Sequence, residues 1–333
     1  MKQQILALSF VITLFYSCSS DSESAPEAIK GEVKVDYRVD TGVIEDFVVN
    51  TDNTVYYTGQ LNSASQNLMV FNKIDLDGKK SSLLNLDKSI FFNNRLSYNS
   101  AGQVLMFTFD NAHSDELFRF ENNFSEVKSF YTVKPDINAA SIGAIAKNDD
   151  DTYFIFDYGN MAIRKIAPGI NAAIPVAGSG LKEVKDGFNT EAGFSDIYLM
   201  AAKNNVLYVV DGLAIEGKQN NIRKVELLDA GWKVSTLIST TTDIYSSIAV
   251  DSNGDLFVLV QKKGIYKLNQ QNSTLSLYKG GELKVQIGKD HSTLNLNDAD
   301  KMKIKGNDLY LTGNMFAFTK ISDFQAKLLE AGK

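Results

Sequence analysis

Cysteine, histidine, proline and tryptophan are all scarce: the 333-residue chain has one Cys, two His, four Pro and one Trp. With Cys18 alone, neither an internal disulfide nor a thiolate metal centre can form. His113 and His291 cannot supply a three-histidine metal site within one chain. Cations are outnumbered, 34 Lys and Arg against 40 Asp and Glu, for a net charge of −6. That mildly acidic balance argues against nucleic acid as a partner, because phosphate neutralisation needs clustered Lys and Arg. Beyond residues 5–16 there is no long apolar run, so no membrane-spanning segment is expected. The chain is nonetheless 44% hydrophobic, with 20 Phe and 14 Tyr, a mix suited to pleated, half-buried surfaces around a sizeable core.

The start of the chain reads as a leader. Met1-Lys2 is followed by an apolar run of signal-peptide length that stops at Ser17-Cys18. A small residue and then Cys after such a run resembles the lipobox of bacterial lipoproteins, with Phe15 where that family usually has Leu. The resemblance implies a signal peptide over residues 1–17 and lipidation of Cys18 as the new N-terminus. Residues 18–30 are Ser- and Glu-rich, with little to bury, and are expected to form a disordered tether. Their acidic start resembles the surface-export signals of Bacteroidetes lipoproteins. The expectation is an exported protein anchored by lipid to the outer membrane, its outer face included.

Residues 31–333 carry an internal repeat. The pattern apolar-x-basic-apolar occurs at Phe71-Asn72-Lys73-Ile74, Leu117-Phe118-Arg119-Phe120, Ile163-Arg164-Lys165-Ile166, Ile222-Arg223-Lys224-Val225, Ile265-Tyr266-Lys267-Leu268 and Phe318-Thr319-Lys320-Ile321. Counted at the basic residue, the copies stand 46, 46, 59, 43 and 53 residues apart. Alternation of this kind is the strand period, and the spacing suits four short strands per unit. Each copy is preceded by a second strand opened by an Asn, Asp or Gly turn, such as Asn253-Gly254 before Leu256. Inner strands are expected over 44–49, 96–98, 144–146, 198–201, 248–250 and 302–304. Outer strands are expected over 82–84, 128–131, 174–176, 234–238, 275–278 and 327–329. A single such unit cannot bury both its faces, but a ring lets each cover the next. The fold class is therefore all-β, a six-bladed β-propeller with four antiparallel strands per blade. A further strand over 32–39 is expected to close the ring on the outer edge of the last blade.

Two units resemble NHL repeats. The residues are Asp157-Tyr158-Gly159-Asn160 leading to Ile163-Arg164-Lys165, then Ala177-Gly178-Ser179-Gly180, Asp186-Gly187 and Ala192-Gly193-Phe194. Asp211 and Asn221-Ile222-Arg223-Lys224 repeat the theme. The likeness covers residues 150–260 and departs at Asp196, where that family usually has Pro. It implies a propeller that serves as a binding platform, although some relatives are enzymes.

No catalytic constellation is apparent. Gly178-Ser179-Gly180 lacks the Gly-Lys-Ser/Thr of a phosphate loop. Asp251-Ser252-Asn253-Gly254-Asp255 lacks a Glu at the twelfth calcium-loop position, which is Lys262, and reads as a hairpin turn. Binding candidates are the aromatics placed at one end of the ring, Phe91, Phe92, Tyr158, Phe188, Tyr245 and Phe316. To these are added Asp157, Asn160, Arg164, Asp211, His113 and His291. Asp157, Asn160 and Arg164 equally suit a structural role, tying strands to loops. The expected function is non-enzymatic binding of a glycan, peptide or protein partner by a monomer, with no cofactor. The alternative is a calcium-dependent hydrolase or lyase resembling gluconolactonases, which would need converging carboxylates.

Overall fold

The computed structural model describes residues 31–60, 68–87, 91, 94–108, 116–132, 142–168, 172–313 and 317–331. Almost every regular element is a strand. The first sheet is a meander of β3 (Ile44–Val49), β4 (Val55–Gln60), β5 (Leu68–Ile74) and β6 (Lys80–Asp87). The second comprises β7 (Arg95–Tyr98), β8 (Val104–Phe107), β9 (Glu116–Glu121) and β10 (Glu126–Thr132), and the third β11 (Ile142–Lys147), β12 (Tyr153–Asp157), β13 (Ala162–Ile166) and β14 (Ile174–Ala177). In the fourth, β16 (Ile197–Lys203), β17 (Val206–Gly212), β18 (Asn220–Leu228) and β19 (Gly231–Thr240) gain a fifth strand, β15 (Gly187–Phe188), on the outer edge. The fifth holds β20 (Tyr245–Val250), β21 (Leu256–Val260), β22 (Gly264–Asn269) and β23 (Thr274–Lys279).

The sixth sheet is assembled from both ends of the domain. Strands β26 (Ala299–Lys305), β27 (Asp308–Gly313) and β28 (Ala317–Ile321) are completed by β2 (Tyr37–Asp40), antiparallel to β28 with Tyr37 opposite Lys320. The expected closing segment thus lies on the last sheet. It is split in two, because β1 (Val33–Val35) leaves to pair in parallel with β24 (Glu282–Ile287). With β25 (Asp290–Asn295) these two strands make a seventh, three-stranded sheet that the repeat did not predict. It packs against the fifth and sixth sheets through Val33, Val35, Leu283 and Val285. The insertion accounts for the long interval between Lys267 and Lys320.

One expected strand is a helix. Residues 327–329, expected as the outer strand of the last unit, belong to α1 (Phe324–Glu330). Phe324 and Leu328, one turn apart, bury into the same cluster as β1, and β2 occupies the edge that the expected strand would have taken.

The first strands of the six larger sheets neighbour one another in a closed circuit, β3 to β7, β11, β16, β20, β26 and back to β3. Side chains above and below each strand therefore bury between adjacent sheets. Phe71 and Phe120 stack at 3.8 Å between the first and second. The basic residues of the repeat stay partly exposed and pair locally: Lys73 with Asp75 at 2.6 Å, Lys224 with Glu226 at 2.6 Å, Lys267 with Asp255 at 2.6 Å, and Arg119 with Glu121. Hydrogen bonds also stitch the turns between first and second strands. Asn50 donates to the Gly102 carbonyl, Asp151 accepts from Ser100, and Asn148 and Asn205 exchange bonds.

Candidate functional site

All six inner strands border a central channel. At the end where they begin, it widens into a cavity of about 410 Å3, and at the far end into one of about 210 Å3. Leu96, Ile145, Met200, Ile248 and Lys303 border both cavities and form the partition between them. The larger cavity has two unlike halves. Strands β3, β7 and β26 contribute Glu45, Asp46, Arg95, Asp300, Lys301 and Lys303. Strands β11, β16 and β20 contribute mainly Ala144, Ile145, Leu199, Met200 and Ile248, together with Tyr198, Tyr245 and Ser246.

Asp46 organises the charged half. It is 6% exposed; Oδ2 accepts from the Leu96 N–H at 2.8 Å, and Oδ1 faces Lys303 Nζ at 3.4 Å. It therefore joins three consecutive members of the ring. Lys303 also lies 5.3 Å from the centre of the Phe47 ring. Desolvation in the channel holds the Lys303 amine below its ordinary pKa; Asp46 opposes that, while Arg95 and Lys301 reinforce it. Lys301 pairs with Asp300 at 2.7 Å, Glu45 accepts from Gln60, and Arg95 donates to the Asn94 carbonyl at 3.0 Å. Asn94 is itself buried, accepting from Thr58 at 2.7 Å and donating to the Phe91 carbonyl at 2.8 Å, which fixes the entry to β7. Burial raises the Tyr245 hydroxyl pKa, and no hydrogen-bond partner meets that hydroxyl among the described residues.

The described residues among those nominated from sequence lie in different parts of the fold. Among the described nominees, only Tyr245 borders the cavity. Tyr158 stands 40% exposed on the loop after β12, with Lys182 Nζ 5.4 Å from its ring centre. Phe91 is buried edge-on against Phe118. Phe188 lies in β15 at the outer edge of the fourth sheet, beside Leu227 and Leu228. His291 is in β25, its Nδ1 2.8 Å from Glu32 Oε1, and borders neither cavity. Cys18, Phe92, His113 and Phe316 lie outside the described residues.

The acidic and basic nominees are tied into the scaffold. Asp157 Oδ2 accepts from Arg164 Nε and Asn160 Nδ2, each at 2.8 Å, and all three residues are buried. Asp211 is fully buried: Oδ1 accepts from Ser195 N and Oγ and Asp196 N, and Oδ2 from Arg223 Nη1 at 2.7 Å. Arg223 also donates to the Gly193 and Lys185 carbonyls, both at 2.6 Å, pinning the connector between the third and fourth sheets. Sequence reasoning missed Asp46, Arg95 and Lys303. The available signal was charge on inner strands, where one edge of the backbone faces the channel.

No family model matches the chain, and no curated protein sequence does either. Solved structures match its fold. A putative gluconolactonase aligns at 13% identity with a TM-score of 0.56, over 86% of this chain and 90% of that one. A Bacteroides thetaiotaomicron protein of unknown function aligns at 12% identity and 0.55, over 87% and 73%. Virginiamycin B lyase from Staphylococcus aureus aligns at 14% identity and 0.51, over 85% and 97%. The protein is a β-propeller.

Proposed function

We propose that this protein is a lipid-anchored, non-enzymatic binding propeller of the cell envelope, and that its partner, a glycan or peptide segment, enters the wide end of the central channel. Its six larger sheets act as the blades, and the three-stranded sheet is an accessory wedged between the last two. The buried Asp157–Arg164 and Asp211–Arg223 pairs, at matching places in consecutive units, support an NHL-like character. The observation that carries the reading is the two-faced cavity of about 410 Å3. Its size falls within the range of about 300 to 1,000 Å3 common for small-ligand sites.

The calcium-dependent alternative fits the residues poorly. Among the described residues no three His, Cys, Asp or Glu side chains gather as a metal set. Asp46, the best buried carboxylate at the mouth, already faces Lys303.

Glycan and peptide arrays probed with the purified protein test the reading, with Ile145→Trp as a channel-filling variant. Specific signals that Ile145→Trp removes are expected. Blank arrays, or signals indifferent to the variant, would overturn it. For the anchor, Cys18→Ala is expected to release the protein from the membrane fraction and to abolish palmitate labelling. Retention of both would refute lipidation. No helix among the described residues is long and apolar enough to cross a membrane.

A further inference from the structure

We propose that the channel mouth recognises a carboxylate attached to an apolar body, the carboxylate lying against Lys303 and Arg95 and the body against Ile145, Met200 and Ile248. The inference rests on the binding reading above and names the chemistry of its ligand. Three cations, Arg95, Lys301 and Lys303, come from the second and sixth sheets and border one half of the cavity. The acids beside them are already engaged. Asp46 uses one oxygen for the Leu96 N–H and turns the other to Lys303. Glu45 accepts from Gln60, and Asp300, with its side chain 60% exposed, holds Lys301.

Lys303 is the anchor because its own needs are poorly met. An ammonium carries three donors, and good charge-assisted bonds run at about 2.7 to 2.9 Å. Its contact to Asp46 is 3.4 Å, and one face is given to the Phe47 ring. Desolvation lowers its pKa, so an incoming anion would restore what burial removed. Opposite, the three apolar side chains belong to β11, β16 and β20 and lack any charge. A ligand polar all round would leave that wall unused, and a neutral apolar one would leave Lys303 as it is.

The carboxylate could arrive on a small acid or at a peptide C-terminus, and titration calorimetry on the intact protein separates the two. One arm compares 3-phenylpropanoate with 3-phenylpropanol. The other compares Ala-Ala-Ala-Phe bearing a free C-terminus with its amide. At least one acid is expected to bind ten-fold or more tightly than its neutral twin. Lys303→Met, which keeps most of the stem, is expected to erase that preference and leave the neutral twin unchanged. Affinity for the acid is expected to fall with alkaline pH as Lys303 loses its proton. Equal binding of acid and neutral twin, or a preference that survives Lys303→Met, would overturn the proposal. So would failure of both acids to bind at about 10 mM, well above the millimolar limit of useful affinity. If neutral ligands still bind and Ile145→Trp abolishes them, the binding reading stands while the carboxylate inference falls.

Discussion

Arg223→Met should show how firmly the connector between the third and fourth sheets is built into the ring. The side chain is fully buried and stacks 4.9 Å from the centre of the Phe194 ring. Methionine preserves the apolar stem but withdraws the donors that hold Asp211, Gly193 and Lys185. Removing one partner of a buried ion pair costs about 3 to 5 kcal/mol, chiefly because the other charge is stranded. Two details place the cost at the lower end. Asp211 keeps three donors on its other oxygen, and Arg223 Nε has no partner to lose. A loss of about 3 kcal/mol, with a urea slope of about 3 kcal/mol/M for a domain of this size, moves the unfolding midpoint down by about 1 M. Arg223→Lys should fall between, since it keeps a charge towards Asp211 but cannot span both carbonyls. Lys224→Ala is the control: its pair with Glu226 is still reached by solvent, the side chains 24% and 26% exposed, and the cost should stay near or below about 1 kcal/mol. A loss below about 1 kcal/mol for Arg223→Met would refute the view that this network secures the connector.

Three other perturbations address closure, acid stability and backbone geometry. Deleting residues 31–40 removes buried Val33, Val35 and Tyr37 and strips β28 of its edge partner, so thermal scans should show destabilisation by about 5 kcal/mol or more; an unchanged melting temperature would dismiss the closing strand. At Asp151, burial raises the carboxyl pKa, but hydrogen bonds from Ser100 and the charge of Lys147 outweigh it, and the net shift is downward. Its contribution is thus complete above the unfolded value of about 3.9 and disappears as pH falls through the lower folded value. Asp151→Asn should flatten the acid limb of a urea-midpoint profile below about pH 4, and an unaltered limb would contradict the assignment. Gly178→Ala should cost about 2 kcal/mol or more in denaturant titrations, because φ is +136° and a Cβ there would sit 2.5 Å from the Met161 carbonyl oxygen; a neutral result would mean the loop moves freely.

How far the fold was legible follows from which interactions are local. The apolar-x-basic-apolar strands could be read because the pattern lies in neighbouring residues; Ile163 and Ile166, three apart and so on opposite faces, both bury, as a strand covered on both sides requires. The helix was misread because Lys327-Leu328-Leu329 is too short to show a period. Including Phe324 would have revealed the four-residue spacing that marks one helix face. The hairpin from Glu282 to Asn295 alternates well, with Leu283 and Val285 buried, but it breaks the count of four strands per unit. The site was the least legible part. Asp46 and Lys303 lie near opposite ends of the domain and meet only because the ring closes. The aromatics and the Asp–Arg pairs are conspicuous as residue types, yet Phe91 is consumed in packing and the two Asp–Arg pairs in holding strands and connectors.

The position of the charged half gives the channel mouth a mechanical consequence. The first and sixth sheets meet beside the closure of the ring, where β2, which runs on into β3, is joined to β28 by strand pairing and not by chain connection. Across that seam Lys303 of β26 reaches towards Asp46 of β3 and lies over Phe47, while Asp46 also receives the N–H of Leu96 on β7. A carboxylate held by Lys303 and Arg95 would bridge β26 and β7, the strands on either side of β3, and would add to these bonds beside the closure of the ring. Ligand binding and ring closure are then thermodynamically linked, since anything that binds only the closed form stabilises it by RT ln(1 + [L]/Kd). At a hundredfold excess over Kd the gain is about 2.7 kcal/mol, close to the loss expected for Arg223→Met. Saturation with such a ligand should therefore recover most of the melting temperature lost in that variant, although Arg223 lies outside the channel mouth. A ligand that binds with no rise in melting temperature would show that it does not discriminate between the closed ring and the unfolded chain.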